Sequence, residues 1–225
     1  MFKTETHLHT KETSTCSHLF AKEMVQLYHE AGYNTLFISD HMHHDFLEKN
    51  SDVPKIKAIE RFLGGYYNAL EEGEKYGMNI LPSVEYSLAF GNIHNHYLVY
   101  GIDEEFLFDN PNCESFNLEK LRKSAKDKGA MIIQAHPFRN TCFPTPLYVD
   151  GMEVLNSNPR HFIATDEERT VETIKQYGLP FSAGSDAHRP EDVAGTGIGS
   201  DNEIKSAEDF IKVIMSKNGK VLKNI

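Results

Sequence analysis

The sequence has few of the features that mark membrane, secreted and disulfide-stabilised proteins. Tryptophan is absent, and only three cysteines occur among 225 residues. A small, odd and scattered set of cysteines argues against a disulfide framework and favours a reducing compartment. No run reaches the roughly 18–20 apolar residues of a membrane-spanning helix, and no apolar signal segment follows the first methionine. These absences predict a cytoplasmic protein with no membrane partner.

Positive charge is also scarce. The 23 lysines and arginines are outnumbered by 33 acidic residues, which leaves a formal net charge of −10. Because duplex nucleic acid is bound by neutralising its phosphates with Lys and Arg, no duplex nucleic acid partner is expected. A small phosphorylated substrate stays compatible, since bound metal ions reverse the charge locally. The sequence contains no glycine-rich phosphate loop and no Gly-x-Ser-x-Gly nucleophile motif.

Strand-like and helix-like segments alternate along the chain, which predicts one α/β domain over residues 1–225. The apolar runs predict strands at about 2–8, 35–39, 79–85, 95–100, 130–135, 151–155 and 180–184. The helical periodicity predicts helices at about 18–31, 54–76, 117–128, 166–177 and 206–217. The Gly64-Gly65 pair predicts a kink in the second helix. Seven strands in this alternation are typical of a barrel.

Histidines and acids occur at the ends of these predicted strands. Three pairs have i, i+2 spacing, namely His7 and His9, His94 and His96, and Asp186 and His188. Residues two apart on a strand point to one face, so each pair can present two ligand atoms to the same side. Imidazole and carboxylate groups suit divalent transition metals. With His41, Glu85 and His136 after other strands, the pattern predicts a metal cluster at the mouth of the barrel.

These motifs, in this order, resemble the polymerase and histidinol phosphatase (PHP) family of metal-dependent phosphoesterases. The resemblance runs from His7 to Gly197 and rests on Thr6-His7-Leu8-His9-Thr10, Ser39-Asp40-His41, Val84-Glu85, His96 to Gly101, Gln134-Ala135-His136-Pro137, Gly151-Met152-Glu153-Val154 and Ala183 to His188. It implies a PHP fold, which is a distorted, TIM-like (β/α)7 barrel. It also implies hydrolysis of a phosphate ester by a hydroxide that bridges metal ions.

The resemblance further implies a ligand set for two or three Zn, Mn or Fe ions. One ion would bind His7, His9, Glu85 and Asp186, and Glu85 would bridge to a second ion held by His96 and His136. A third ion would bind His41, His188 and one residue of the loop after the first strand. That loop departs from the commoner Ser-Asp-Gly pattern and reads Lys11 to His18. Glu12 is the first choice for the third ligand because it follows His9 by three residues, and His18 is the second. Cys16, near the first histidine pair, is a weaker candidate for a metal ligand, since a buried free cysteine is usually a small hydrophobic residue.

Several other residues are candidates for supporting roles. Asp40 is expected either to act in proton transfer or to cap the turn after its strand. Arg139 is expected to hold the phosphate, and Lys11, Arg160 and Arg189 are further candidates. Glu5 is expected to orient a ligand imidazole. The predicted catalytic residues are Glu85 and Asp186, which are ligands of the reacting centre, together with Asp40 and Arg139. His43, His44, His94 and His161 are expected at the rim or in structural positions.

The leading function is hydrolysis of a small-molecule phosphate ester. A nuclease or nucleotide phosphoesterase of the same family is the first alternative. An amidohydrolase is a second, although no lysine is placed at a mid-barrel strand end to bridge two metals. A non-catalytic metal-binding module is the third, and the complete ligand set argues against it.

Overall fold

One mixed sheet curls into a nearly closed barrel in the computed structural model, which describes residues 1–158 and 166–223. Within these residues the sheet has ten strands. They are β1 (Phe2–Leu8), β2 (Thr35–Ile38), β3 (His41–His43), β4 (Asn79–Phe90), β5 (Ile93–Tyr100), β6 (Met131–Gln134), β7 (Gly151–Asn156), β8 (Phe181–Gly184), β9 (Thr196–Ser200) and β10 (Lys220–Lys223).

The helices surround this sheet. They are α1 (Ala21–Glu30), α2 (Phe46–Lys49), α3 (Lys55–Phe62), α4 (Gly64–Tyr76), α5 (Glu104–Asp109), α6 (Leu118–Asp127), α7 (Glu167–Tyr177) and α8 (Ala207–Met215). Short polar side chains begin three of the longer ones, because Asn117, Asp166 and Ser206 accept a hydrogen bond from a first-turn backbone N–H. Gly77 and Gly178 end α4 and α7 in the left-handed conformation that glycine tolerates. No described helix is long and apolar enough to cross a membrane.

Strand direction decides which residues reach the mouth of the barrel. The order is β10-β9-β1-β2-β4-β5-β6-β7-β8, and β3 pairs separately with β4. β1, β2 and β4 are parallel, as are β6, β7 and β8. β5 is antiparallel to both neighbours, which places His96 opposite Ser87 in the second half of β4. The first half of β5 therefore reaches the same end of the barrel as the last residues of the parallel strands.

The seam between β1 and β8 is closed by the loop after β8. Backbone hydrogen bonds join Asp186 N–H to the His7 carbonyl at 2.7 Å and His9 N–H to the Ala187 carbonyl at 3.0 Å. Inside the barrel, apolar side chains of several strands meet, among them Phe37, Leu98, Tyr100, Ile133 and Ile198, and Phe210 of α8 packs against them. This apolar interior leaves the polar groups at the mouth.

The fold confirms the predicted α/β barrel and all seven predicted strands. The short strands β3, β9 and β10 were missed. β9 reads Thr-Gly-Ile-Gly-Ser, and its glycines are weak strand formers, while β3 carries two histidines. The predicted kink is a break, because α3 ends at Phe62 and α4 begins at Gly64. α1 begins at Ala21 rather than residue 18, since the preceding residues form a loop tied to the mouth.

The glycine pair at this break supports a matched stability test. A Cβ atom on Gly65 would lie 1.9 Å from Thr10 Oγ1 and 2.8 Å from Asp40 Oδ2, whereas one on Gly64 would meet nothing within 4 Å. Gly65→Ala should lower the free energy of unfolding by roughly 1–3 kcal/mol through overpacking. Gly64→Ala should leave it unchanged or raise it by up to about 1 kcal/mol. Urea denaturation measures both, and equal stabilities would contradict the close contact between α4 and Thr10.

Candidate metal centre

The buried carboxylate of Glu85 lies at the centre of the site. Its Oε1 atom is 2.9 Å from His96 Nδ1, 3.1 Å from His136 Nε2 and 3.4 Å from His7 Nε2. Its Oε2 atom is 2.7 Å from His41 Nδ1 and 3.3 Å from His9 Nε2. The two oxygens thus face imidazoles from β1, β3, β5 and the end of β6. One carboxylate in this position can bridge two cations.

Asp186 is the second acid of the site. Its Oδ1 atom lies 3.1 Å from His9 Nε2 and 3.5 Å from His7 Nε2, and its Oδ2 atom accepts a hydrogen bond from Arg139 Nη2 at 2.8 Å. Asp186 and His136 adopt φ angles of 53° and 30°. Such left-handed conformations are costly for residues with a side chain and occur at functional sites, where the surroundings hold them.

The structure brings together eight of the nine predicted metal ligands. Four groups have ligand atoms that lie within 4.8 Å of one another, and they are His7, His9 and Glu85; His7, His136 and Asp186; His41, Glu85 and His96; and His9, His41 and His188. Each of the first three groups contains residues that were predicted to bind the first or the second ion. The fourth group contains His41 and His188, the two histidines predicted to bind the third ion. Glu12 belongs to none of these groups.

Several buried atoms of the cluster lie 2.7–3.5 Å from a side chain of opposite charge without making a hydrogen bond of good geometry. His7 Nε2, both ring nitrogens of His9, His41 Nδ1 and Glu85 Oε2 make no hydrogen bond within the described residues. Each unsatisfied buried polar group costs about 1–3 kcal/mol. Divalent cations would satisfy these lone pairs together, so this donor set fits a metal centre.

The two acids and His136 have the charge states that bind metals, whereas neighbouring carboxylates outweigh burial at two other histidines and raise the pKa of His7 well above its usual range and that of His41 to about 10. Burial alone would raise the pKa of Glu85, but the charges of His96, His41 and His7 lower that pKa well below its usual range. The pKa of Asp186 is also well below its usual range, because His7, His9 and Arg139 outweigh its burial. Burial and the nearby Arg139 lower the pKa of His136 to about 3, so its imidazole is neutral. Anionic carboxylates and a neutral imidazole are the forms that bind metals.

Glu153 on β7 supports two of these histidines and was not singled out for a role from the sequence. Its Oε1 atom is 2.9 Å from His7 Nδ1, and its Oε2 atom accepts the backbone N–H of His136 at 2.8 Å. The Nδ1 contact leaves His7 Nε2 free for a cation. A fully buried acid within the apolar run Gly151-Met152-Glu153-Val154 was the signal that could have identified it.

Asp40 holds the loop after β1, which we call the β1–α1 loop and define as residues 9–20. Its carboxylate accepts the Thr10 N–H at 2.7 Å, the Thr10 hydroxyl at 2.6 Å and the Ser14 hydroxyl at 2.7 Å. Burial raises the pKa of Asp40 to about 6, against the opposing effect of these hydrogen bonds. The contacts favour the structural interpretation of Asp40, and its part in proton transfer stays a prediction.

The position of Glu12 corrects its assignment as a ligand. Both carboxylate oxygens accept the backbone N–H of Ala21, at 2.9 and 3.1 Å, and Oε1 also accepts a hydrogen bond from Asn68. Ala21 is the first residue of α1, where the free N–H groups and the helix dipole attract an anion. Sequence distance from His9 was a poor guide because the helix terminus competes for the carboxylate. The second choice, His18, is exposed and lies outside the four groups.

Cys16 is exposed and, like Glu12 and His18, lies outside the four groups, but it lines the same cavity as His41. Its thiol interacts with the imidazoles of His188 and His41. Partial burial raises the pKa of this thiol, but the hydrogen bonds to these histidines prevail and lower it to about 6.

The remaining candidates lie at the rim or support the backbone. Arg139 is mostly buried and reaches the site through Asp186, whereas Arg189 faces Glu191 and the Lys11 ammonium lies over the Phe20 ring. Arg160 and His161 lie outside the described residues. Glu5 accepts the backbone N–H groups of His7 and Ser185 and contacts no ligand imidazole ring, so it aligns β1 with the loop after β8.

His43, His44 and His94 lie beyond the ligand groups. His43 stacks on His41 at a centroid distance of 5.0 Å, and the His94 backbone pairs with Thr141. A cavity of ≈ 530 Å³ opens beside His41 and His43, and its lining combines apolar and basic side chains, among them Phe46, Lys49 and Phe62. A cavity of this volume accommodates a small organic molecule.

Comparisons with known proteins agree with this fold. A family model described as PHP-associated matches residues 166–218. A two-domain protein of Bacteroides vulgatus that contains a predicted PHP-like metal-dependent phosphoesterase has a TM-score of 0.68 at 16% identity, and the match covers 99% of this chain and 65% of that one. No curated protein sequence matches the chain.

Two further solved structures have the same fold. A protein of Bifidobacterium adolescentis, proposed to be a metal-dependent phosphoesterase, has a TM-score of 0.60 at 14% identity, with 96% of each chain covered. An amidohydrolase of Chromobacterium violaceum, with bound sulfate and no metal, has a TM-score of 0.60 at 18% identity, and the match covers 85% of this chain and 89% of that one. The family-model match and these folds confirm the resemblance to the PHP family.

The metal centre predicts a defined metal content. After reconstitution with zinc, manganese or iron, the chain should hold about two or three ions, because eight ligands converge there. Glu85→Gln keeps the size of the side chain but removes the shared negative charge, and it should remove about one ion or more per chain. Elemental analysis measures this content, with Glu71→Gln, an exposed acid of α4, as the control. Less than about one equivalent in the unaltered chain would contradict the centre.

Glu153 permits a separate test of ligand orientation. Glu153→Gln keeps the shape but weakens the contact that holds His7 in its ligand tautomer, so metal affinity should fall by about 10–100-fold. Competition with a chromophoric chelator measures this affinity, and Glu71→Gln again serves as the control. An unchanged affinity would mean that the Glu153 carboxylate only supports the backbone of the barrel.

Proposed function

We propose that this chain, a protein of the PHP type, is a metal-dependent phosphoesterase that hydrolyses a small-molecule phosphate ester. The observation that carries the proposal is the buried Glu85 carboxylate with imidazoles around both oxygens. A bridging carboxylate of this kind is typical of hydrolytic sites with two or more ions. Divalent ions bound there would lower the pKa of a water molecule toward neutrality and neutralise phosphoryl oxygens.

The protein's own part is to hold ligands and orient the substrate. His7, His9 and Asp186 would hold one ion, His96 and His136 a second, and Glu85 would be shared by both. Glu153 fixes the orientation of His7. These contacts preorganise the site, so that little reorganisation is needed when substrate binds.

Arg139 is the residue we propose to bind the phosphate. Its guanidinium is 10% exposed and donates to Asp186 Oδ2 at 2.8 Å. The Arg139 fork has further N–H groups that can donate to a phosphoryl oxygen, since planar guanidinium recognises such oxygens well. The contact with Asp186 therefore positions a cationic group beside the proposed ions.

The cavity beside His41 supports a small substrate. Its volume of ≈ 530 Å³ and its aromatic side chains Phe46 and Phe62 suit a small organic group. The basic side chains of the lining, Lys49 and Arg61, are paired with Asp45 and Asp52. The net charge of −10 disfavours duplex nucleic acid. A nuclease or nucleotide phosphoesterase is therefore a less favoured version of the same chemistry.

A second candidate function is hydrolysis of a C–N bond. The observation that favours it is the fold similarity to the Chromobacterium violaceum amidohydrolase. The same metals and ligands could activate water for attack on a carbonyl carbon. A guanidinium beside the site, however, suits a phosphate better than a neutral amide.

A substrate panel tests the proposal. The metal-reconstituted protein should hydrolyse one or more phosphomonoesters faster than phosphodiesters, oligonucleotides or N-acyl compounds, because Arg139 and the ions match a compact dianion. Glu85→Gln should lower the turnover number by orders of magnitude, while Glu71→Gln should retain it. Release of phosphate and of amine is measured in parallel. Hydrolysis of N-acyl compounds alone would favour the amidohydrolase function. If no compound of the panel were hydrolysed, both candidate functions would be contradicted for these classes of substrate.

A further inference from the structure

We propose that the Cys16 thiolate completes the third ion site with His41 and His188, which makes it a mixed sulfur and nitrogen site. The inference rests on the metal centre of the proposed function and deepens it. The site lies at the edge of the cavity beside His41, which Cys16 also lines. It is the part of the centre where the β1–α1 loop departs from the usual sequence pattern.

The β1–α1 loop is tied to both histidines on either side of Cys16. Before Cys16, the Ser14 hydroxyl accepts the backbone N–H of His41 at 3.0 Å. After it, the backbone N–H of His18 donates to the His188 carbonyl at 2.8 Å, and the Ser17 hydroxyl donates to the His9 carbonyl at 2.9 Å. These hydrogen bonds hold the segment against the histidines, and the Cys16 thiol interacts with both imidazoles.

The histidines themselves need a further ligand and a cation. His9, His41 and His188 have ligand atoms within 4.8 Å of one another. Both ring nitrogens of His9 and the Nδ1 atom of His41 are buried and make no hydrogen bond of good geometry in residues 1–158 and 166–223, although Glu85 Oε2 lies 2.7 Å from His41 Nδ1 and Asp186 Oδ1 lies 3.1 Å from His9 Nε2. His188 Nδ1 donates to the Asp186 carbonyl at 2.8 Å, which leaves Nε2 as its ligand atom. The carboxylates nearest to these imidazoles, Glu85 and Asp186, are the proposed ligands of the other two ions. A third cation would therefore lack a negatively charged ligand of its own.

The other nearby groups are already bound elsewhere. The Glu12 carboxylate accepts the Ala21 N–H and the Asn68 amide. Asp45, which also lines the cavity, pairs with Lys49 at 2.9 Å. Glu85 is shared by the imidazoles at the centre of the site. Among the described loop residues, Cys16 lines the same cavity as His41, interacts through its thiol with His41 and His188, and can supply a negative charge.

A thiolate changes which metal the third site prefers. Sulfur is a soft ligand that favours zinc or ferrous iron, whereas manganese and magnesium prefer oxygen. Zinc sites with cysteine and histidine ligands are common. The third site should therefore retain zinc or cobalt in the presence of excess manganese, and it should lose this preference when the sulfur is removed.

Cobalt spectroscopy tests the thiolate directly. The protein reconstituted with Co²⁺ should show a thiolate-to-cobalt charge-transfer band in the near ultraviolet. Cys16→Ser should abolish that band and lower the cobalt content by about one ion per chain. Cys113→Ala, which alters a buried cysteine of the core far from the ligands, should keep both, and Glu12→Gln should keep both as well. The rival sulfur is Cys142, whose Sγ atom lies 3.8 Å from His136 Nδ1. A band that survives Cys16→Ser but disappears in Cys142→Ser would overturn the assignment, as would the absence of any band.

Thiol alkylation gives a second readout that does not depend on the folding of a variant. In the unaltered protein, zinc should slow the alkylation of Cys16 by iodoacetamide at least tenfold relative to the metal-free protein, measured by peptide mass spectrometry. Equal rates would overturn the proposal.

The ligand and the proposed function can fail separately. A protein with the cobalt band but without phosphate ester hydrolysis would refute the proposed function and leave the Cys16 ligand standing. If the protein hydrolysed phosphate esters and its metal content were unchanged by Cys16→Ser, the proposed function would stand and the Cys16 ligand would be refuted.

Discussion

The buried charge of Glu85 is the constraint on which the centre depends. An unpaired carboxylate in the interior of a protein is strongly unfavourable, and imidazoles from several strands surround this one. Their pairing with Glu85 holds only if β1, β3, β4 and β5 keep their register. The arrangement therefore couples strand alignment to the site, and bound cations would stabilise the folded chain through the same contacts.

Strand direction explains why these residues meet. Parallel strands direct their last residues to one edge of a sheet, which accounts for His7, His41 and Asp186. His96 lies in the first half of β5, and it joins them because β5 is antiparallel to its neighbours. The alternation of apolar runs with polar strand ends could be read from the sequence, and so the barrel, its seven main strands and the convergence of eight candidate ligands were predictable. The reversed direction of β5 was not, since alternation carries no information on direction.

The residues for which the sequence was a poor guide have a common physical cause, which is competition between partners that are distant in sequence. Glu12 is close to His9 along the chain, yet the N-terminus of α1 binds its carboxylate. Asp40 follows a strand that ends at the mouth, yet Thr10 and Ser14 take both its oxygens. Glu153 supports His7 across the barrel, from a residue 146 positions away. Each outcome depends on tertiary contacts that motif spacing does not contain.

The central claim is that Glu85 is shared between two metal ions. Anomalous X-ray diffraction from crystals of the metal-reconstituted protein, recorded on both sides of the metal's absorption edge, tests it most directly. The account predicts two anomalous peaks that each contact one oxygen of Glu85, one beside His7, His9 and Asp186 and the other beside His96 and His136. Ions bound elsewhere, with the Glu85 carboxylate still paired only to imidazoles, would contradict it.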